Sequence, residues 1–237
     1  MYAQLVATSL TWLGHSAFRL DTEAGTRVYI DPFLNGNPTC PADELEPERC
    51  DLIALTHGHS DHVGDTLAIA ERFDCPVVAH IEVRSWLTRQ GLPDDGMAHS
   101  PNKGGTVTIG DVSITLTNAN HSSSAPDGTY LGEPCGLVVS PADGPTVYFA
   151  GDTNVFGDMA LIARLYGPRV AVLPIGGHFT MDPHEAAVAL ELLGVARCIP
   201  CHYGTFGLLA GTPSELRRLA PSGVKVLEPT PGETLDL

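Results

Sequence analysis

The seven residues Thr56-His57-Gly58-His59-Ser60-Asp61-His62 carry four side chains able to ligate a metal, all within six positions. They begin where the apolar run Asp51-Leu52-Ile53-Ala54-Leu55 stops. A continuous apolar run of that length suits a strand covered on both faces. Imidazole and carboxylate together suit zinc and its first-row neighbours. Histidines at i and i+2 project to the same side of an extended chain, so His57 and His59 can share one ion. The adjacent Asp61-His62 pair cannot easily reach that ion as well, and the spacing therefore suggests two ions side by side. Paired ions of this kind stabilise the attacking and departing oxygens of a hydrolytic step.

The rest of the chain fits a buried enzyme core. Of 237 residues 43% are hydrophobic and only 17% charged, which excludes a disordered segment. The formal charge of −15, from 13 basic and 28 acidic side chains, argues against nucleic acid and anionic membranes as partners. A small anionic substrate is not excluded, because bound cations set the local charge. Met1-Tyr2-Ala3-Gln4-Leu5-Val6 lacks a basic leader and runs into strand-like sequence. No apolar stretch approaches the roughly 20 residues of a membrane span. Cys40, Cys50, Cys75, Cys135, Cys198 and Cys201 form no dense framework and are expected as reduced thiols, which makes the cytoplasm the expected location. The Cys198-Ile-Pro-Cys201 spacing reads as a strand in which the two thiols face opposite sides, not as a redox or zinc motif.

Short β segments come first, over Ser9 to Leu13, Ser16 to Asp21 and Arg27 to Ile30. A strand over Asp51 to Thr56 leads to the ligand cluster, followed by a helix over Gly64 to Phe73 with Leu67, Ala68 and Ala70 inward. A strand over Pro76 to Ala79 and a helix over Ile81 to Gln90 come next. Val107 to Ile109 and Val112 to Leu116 alternate on either side of Gly110-Asp111, as a hairpin does. Strands over Gly136 to Ser140 and Thr146 to Ala150 follow. The last third alternates: helix Asp158 to Tyr166, strand Val170 to Ile175, helix Pro183 to Leu193, strand Cys198 to Cys201, helix Pro213 to Leu219, strand Lys225 to Pro229. Proline at the first helical position and a capping Asp182 mark two of those helix starts. Hairpins followed by helix–strand alternation imply an α/β fold of mixed sheets with helices outside, in one domain over 1–237.

Three further strand ends present His121, Asp152 and His202. The ordered set His57-x-His59-x-Asp61-His62, His121, Gly151-Asp152-Thr153 and His202 resembles the metallo-β-lactamase superfamily across nearly the whole chain. The segments Trp12-Leu13-Gly14-His15-Ser16-Ala17, Ile30-Asp31-Pro32, Phe149-Ala150-Gly151-Asp152-Thr153 and His202-Tyr203-Gly204-Thr205-Phe206 are similar to a bacterial group of metal-dependent hydrolases within it, related to an L-ascorbate-6-phosphate lactonase.

The resemblance implies a four-layer αβ/βα sandwich of two mixed sheets with helices on the outer faces. It implies His57, His59 and His121 on one ion, Asp61, His62 and His202 on the other, and Asp152 between them. The ions are expected to be two divalent cations, zinc first, with manganese or iron as alternatives. Asp61 and Asp152 then count among the catalytic residues as well as the ligands. An imidazole at position 59, where di-iron redox relatives usually carry glutamate, favours hydrolysis.

The implied activity is cleavage of a small-molecule lactone, ester or amide by a bridging hydroxide. A small phosphodiester is the alternative substrate, and a metal-loaded binding module without turnover is the alternative from another class. His178, in Gly176-Gly177-His178-Phe179, follows a strand end and is a candidate proton donor to the leaving group or substrate contact. His15 is expected either to line the site or orient a ligand through Asp31, or to be a buried imidazole bonded to backbone. The loops Asn35 to Pro41, Pro93 to Gly105 and Ser122 to Gly132 are expected to shape the pocket. Self-association into a homo-oligomer is left open by the sequence.

Overall fold

Alternation along the strands dictates the layering. Val28, Ile30, Leu52, Ala54, Val170 and Val172 enter one apolar cluster. Their strand neighbours Tyr29 and Ile53 enter a second, and Ala171 and Leu173 a third. Successive side chains of a strand point to opposite faces. Strands whose every residue is buried must therefore lie between two covering layers.

The computed structural model describes residues 7–237, so the strand-like Met1–Val6 falls outside the described residues. The elements run β1 (Ser9–Trp12), β2 (Phe18–Asp21), β3 (Arg27–Ile30), β4 (Leu52–Ala54), α1 (Ser60–Val63), α2 (Thr66–Phe73), β5 (Val77–Val78), α3 (Ile81–Arg89), β6 (Thr106–Ile109) and β7 (Val112–Asn118). They continue with β8 (Cys135–Pro141), β9 (Val147–Phe149), α4 (Met159–Tyr166), β10 (Val170–Pro174), α5 (Pro183–Leu193), β11 (Arg197–Cys201), α6 (Pro213–Leu219), β12 (Lys225–Val226) and β13 (Thr234–Asp236). One sheet has the order β13-β1-β2-β3-β4-β5 and the other β12-β11-β10-β9-β8-β7-β6. Both are mixed: β3, β4 and β5 pair in parallel, as do β9 to β12, and the remaining ladders are antiparallel.

The first cluster fills the space between the sheets, where the rings of Phe18 and Phe149 meet at 5.7 Å. Ile69, Ala70, Val83 and Leu87 of α2 and α3 cover the outer face of the first sheet. Met159, Ile162, Ala186, Leu190 and Leu216 of α4, α5 and α6 cover the second. The result is the expected four-layer α/β sandwich. Burying each large apolar side chain contributes about 1.5–3 kcal/mol, and three such cores hold the strand ends in register. Asp182 Oδ1 accepts from Glu185 N–H at 2.8 Å and Thr212 Oγ1 accepts from Glu215 N–H at 3.3 Å, which caps α5 and α6.

Some local expectations need correction. Ser60–Val63 is a turn of helix, so Asp61 and His62 leave the extended path that His57 and His59 follow. In α2 the inward residues are Thr66, Ile69 and Ala70, while Ala68 is exposed. The predicted final strand shrinks to Lys225–Val226, and β13 adds a strand that the sequence reading did not contain. Thr234-Leu235-Asp236 offers a single apolar residue to recognise it by; its ladder on β1 pairs Leu235 with Leu10. All six cysteines are free thiols, and Cys198 and Cys201 enter different cores, as their spacing predicts. Among the described residues no helix is long and apolar enough to cross a membrane.

Candidate metal centre

Strand ends of both sheets meet at one end of the sandwich. A backbone bond from Cys135 N–H to Thr56 O, 3.0 Å, ties the chain beyond β4 to the start of β8. His57 follows β4, His59 precedes α1, and Asp61 and His62 lie within it. His121, Asp152 and His202 follow β7, β9 and β11. The glycine between the first two histidines has a steric reason. A Cβ on Gly58 would lie 2.5 Å from Leu131 Cδ1 and 3.3 Å from Ser124 O, so a larger residue would force the Leu131 side chain to move.

The structure brings all seven predicted side chains together, in two groups. His57, His59 and His121 turn one donor nitrogen each toward a common point. His57 Nε2 lies 2.9 Å from His59 Nδ1. Which nitrogen faces inward is set from behind. Thr56 Oγ1–H donates to Asp31 Oδ2 at 2.6 Å and has a lone pair left for His57 Nδ1, 3.0 Å away. That leaves His57 Nε2 as the bare nitrogen, the usual device for orienting a ligating imidazole.

The second group joins Asp61, His62 and His202 with His15, for which lining the site was one of the expected roles. His62 Nδ1–H donates to Asp31 Oδ2 at 2.8 Å, turning Nε2 inward. Asp31 thus serves both groups, a role the Ile30-Asp31-Pro32 segment did not reveal. Of the roles expected for His15, a link through Asp31 is not the one seen: its Nε2 lies 3.0 Å from Asp61 Oδ2. Asp152 sits between the groups. Its Oδ2 is 3.6 Å from His121 Nε2 and 3.1 Å from His202 Nε2, and its Oδ1 is 3.3 Å from His62 Nε2.

Burial and charge separate the two groups. Burial, reinforced by the neighbouring imidazole His62, drives His57 well below its ordinary pKa. Burial likewise lowers His59 and His121. For His62 burial opposes protonation, but Asp152 and Asp31 overcome it and raise the pKa well above normal. His202 follows the same pattern, pushed up to about 9 against burial, chiefly by Asp152. Burial works against ionisation of Asp61 and Asp152 as well. His15 and His202 nevertheless hold Asp61 low, and His202 and His62 hold Asp152 low. Three residues at or beside the centre, His15, Asp31 and His202, have φ between 45° and 52°. Left-handed backbone at non-glycine residues costs on the order of 1–3 kcal/mol and gathers at functional sites.

Comparison with known proteins identifies the family. The family described as the β-lactamase superfamily domain matches residues 26–203. A UPF0173 metal-dependent hydrolase of Koribacter versatilis is 44% identical over 97% of this chain and 98% of its own. One from Rubrobacter xylanophilus is 48% identical over 91% and 90%. The chain is a member of the metallo-β-lactamase superfamily, among its UPF0173 metal-dependent hydrolases. Among solved structures it is similar to Igni18, a metallo hydrolase from the archaeon Ignicoccus hospitalis, with 35% identity and a TM-score of 0.83 over 97% of this chain and 98% of that one.

In this superfamily member the floor of the centre is closed and the rim is open. His57, His62, Asp152 and His202 are buried, whereas His59, Asp61 and His121 are half-buried. A cavity of about 320 Å³ opens beside His121, lined by Asn118, Asn120, Ser122, Tyr130 and Glu133 among others. Of the three loops expected to shape the pocket, the Ser122 to Gly132 segment lines this cavity, and the other two do not. His178 is exposed on the loop after β10, its ring 4.4 Å from that of Phe179. Met181 N–H donates to Thr153 O at 3.0 Å, which ties this loop to the residue after Asp152. No hydrogen bond joins the His178 ring to the other seven among the described residues. His184 is exposed, and His80 is buried at the start of α3 with Glu82 and Asn102 as partners.

Proposed function

We propose that this chain is a binuclear metal-dependent hydrolase that cleaves a lactone, ester or amide of a small molecule. The observation that carries the reading is the disposition of donors around Asp152. His62 Nε2 and Asp152 Oδ1 are both buried and without a hydrogen-bond partner, although they lie 3.3 Å apart. Donors sharing a tetrahedral ion at the usual zinc–nitrogen distance stand about 3.3 Å from one another. Five imidazoles and two carboxylates form a donor set that suits zinc, manganese or iron, so the residues fit a pair of divalent cations. His57, His59 and His121 would hold one, Asp61, His62 and His202 the other, with Asp152 reaching both.

When bound, such a pair supplies Lewis acidity toward a carbonyl oxygen and lowers the pKa of a water toward neutrality. The chain's own residues do the rest. Asp152 and Asp61 place two negative charges where the cations must sit, and Asp31 and Thr56 fix the imidazole nitrogens that face them. The half-buried edge formed by His59, Asp61 and His121 is where a substrate can approach. The cavity beside His121 offers hydroxyl and amide groups from Ser122, Tyr130 and Asn120 for a polar leaving group or acyl portion. His178, on the loop tied to Thr153, supplies an exposed imidazole for protonating the departing oxygen or nitrogen.

The test combines elemental analysis with a panel of chromogenic lactones, esters, amides and bis-phosphodiesters, run on wild type and on His59→Ala. Two metal equivalents and turnover of a carbonyl substrate are expected, with turnover abolished by chelation, restored by the metal and lost in the variant. Turnover confined to phosphodiesters would replace the substrate class. Failure to turn over any member of the panel with two ions bound would overturn hydrolysis.

A further inference from the structure

One imidazole at the centre lies outside the seven. His15 is fully buried in the turn between β1 and β2, with φ of +52°. Its backbone is locked to the site: His15 O accepts from His202 N–H at 3.0 Å and from Trp12 Nε1–H at 3.0 Å. Its ring lies 4.1 Å from the His202 ring, centre to centre. Both ring nitrogens are engaged, Nε2 with Asp61 Oδ2 at 3.0 Å and Nδ1 with Thr205 Oγ1 at 3.0 Å. A neutral ring satisfies both contacts when Nε2–H donates to the carboxylate and Nδ1 accepts from the threonine hydroxyl.

We infer that His15 is a positioning residue, held by Thr205, that fixes Asp61 as a donor to the second cation. The inference rests on the two-ion reading above. The other donors set the pattern. His57 is oriented through Thr56 and His62 through Asp31, each by a contact on the side away from the centre. Asp61 lies in a single turn of helix and its carboxylate is 28% exposed, so it has more freedom than any buried ligand. Its hydrogen-bonding partner among the described residues is His15. The remaining approaches to Asp61 Oδ2 come from His202 Nε2 at 3.8 Å and His62 Nε2 at 4.0 Å, beyond hydrogen-bond range. Oδ2 is thus the oxygen that faces His62 and His202, and donation from His15 to that same atom holds it there. Because Thr205 follows His202 by three residues, the loop that delivers one donor of this group also anchors the device that orients another.

The experiment is a metal titration of chelator-stripped protein with Zn²⁺ against a chromogenic competitor, repeated with Co²⁺ to follow the visible absorption of each site. Wild type is expected to take up two ions. His15→Ala should weaken the second ion about 10–100-fold and leave the first unchanged, the usual effect of removing a partner behind a ligand. His15→Gln, whose amide N–H can still donate to Asp61, should recover most of that loss together with the wild-type cobalt spectrum. Thr205→Val, on a half-buried loop, should show a smaller loss of a few-fold in the same direction. Second-ion affinity in His15→Ala within twofold of wild type would overturn the inference. So would a His15→Gln variant as weak as His15→Ala, because that pattern belongs to a direct ligand. If His15→Ala does not fold, unchanged second-ion affinity in Thr205→Val overturns it alone. A wild-type chain that binds a single ion sinks the two-ion reading itself, a result read without any variant.

Discussion

The two halves of the centre are built on opposite electrostatic plans. His57, His59 and His121 are imidazoles packed against imidazoles, and burial holds them neutral. Asp61, His62 and His202 alternate carboxylate with imidazole; Asp152 draws protons onto His62 and His202, and Asp31 adds to the pull on His62. The first half is thus ready to receive a cation as it stands. The second keeps protons where a cation would sit, and must release them to bind one. Equal donor counts therefore do not mean equal affinity. Protonation and outer contacts distinguish the two halves more than donor identity does.

Asp152 is where the comparison breaks most easily, because its carboxylate approaches His121 on one side and His62 and His202 on the other. Asp152→Ala should lose both ions and lower kcat/KM by more than the roughly 10–100-fold typical of an outer-shell partner. Metal content by mass spectrometry, read beside the hydrolysis rate, checks this. Two ions retained per chain would mean that the halves are independent.

A smaller and lopsided effect is expected from Asp31→Asn. The amide can keep its oxygen on Thr56 N–H, now 2.8 Å away, but presents N–H to His62 Nδ1–H in place of an acceptor. Affinity for the second ion should fall about tenfold. The first half, reached only through Thr56, should change less. A competition titration resolves the two steps, and equal weakening of both would erase the distinction drawn between them.

Much of this was legible in the residues alone, and the reason is physical. Ligands placed just after apolar strands announce themselves, since a buried strand has no other cause to end in clustered histidine and aspartate. That logic placed His57, His59, Asp61, His62, His121, Asp152 and His202, and the seven do converge. Two helices opened by proline were legible too: Pro183–Leu193 and Pro213–Leu219 appear with the predicted bounds. The partner of His15 was not legible. His15 and Asp61 are 46 positions apart, and their contact depends on a left-handed turn and on how the loop of His202 docks. Nor was α1, whose four residues carry no periodicity to read. Pairing across layers is a property of register and loop path, which local pattern does not encode.

The mildest expected effect, on stability against pH in the metal-free protein, tests the two plans together. His62 and His202 have raised pKa values. Their contribution is complete below the unfolded value near 6.5 and is lost as pH rises through about 9, the value for His202. Asp61 and Asp152 are lowered, and they lend stability above about 3.9 that disappears as pH falls. His57, His59 and His121 are also lowered, so the unfolded chain gains protons that the folded one refuses, and stability falls as pH drops below about 6.5. The metal-free protein should therefore be most stable near neutrality and lose several degrees of Tm between pH 7 and 9.5, at about 2–4 °C per kcal/mol for a chain of this size. Where two cations bind as proposed, all five imidazoles become deprotonated donors and the alkaline decline should vanish. Calorimetry of stripped and loaded protein across that range makes the comparison. A stripped protein whose Tm holds level or climbs above pH 7 would show that the second half carries no protons to lose.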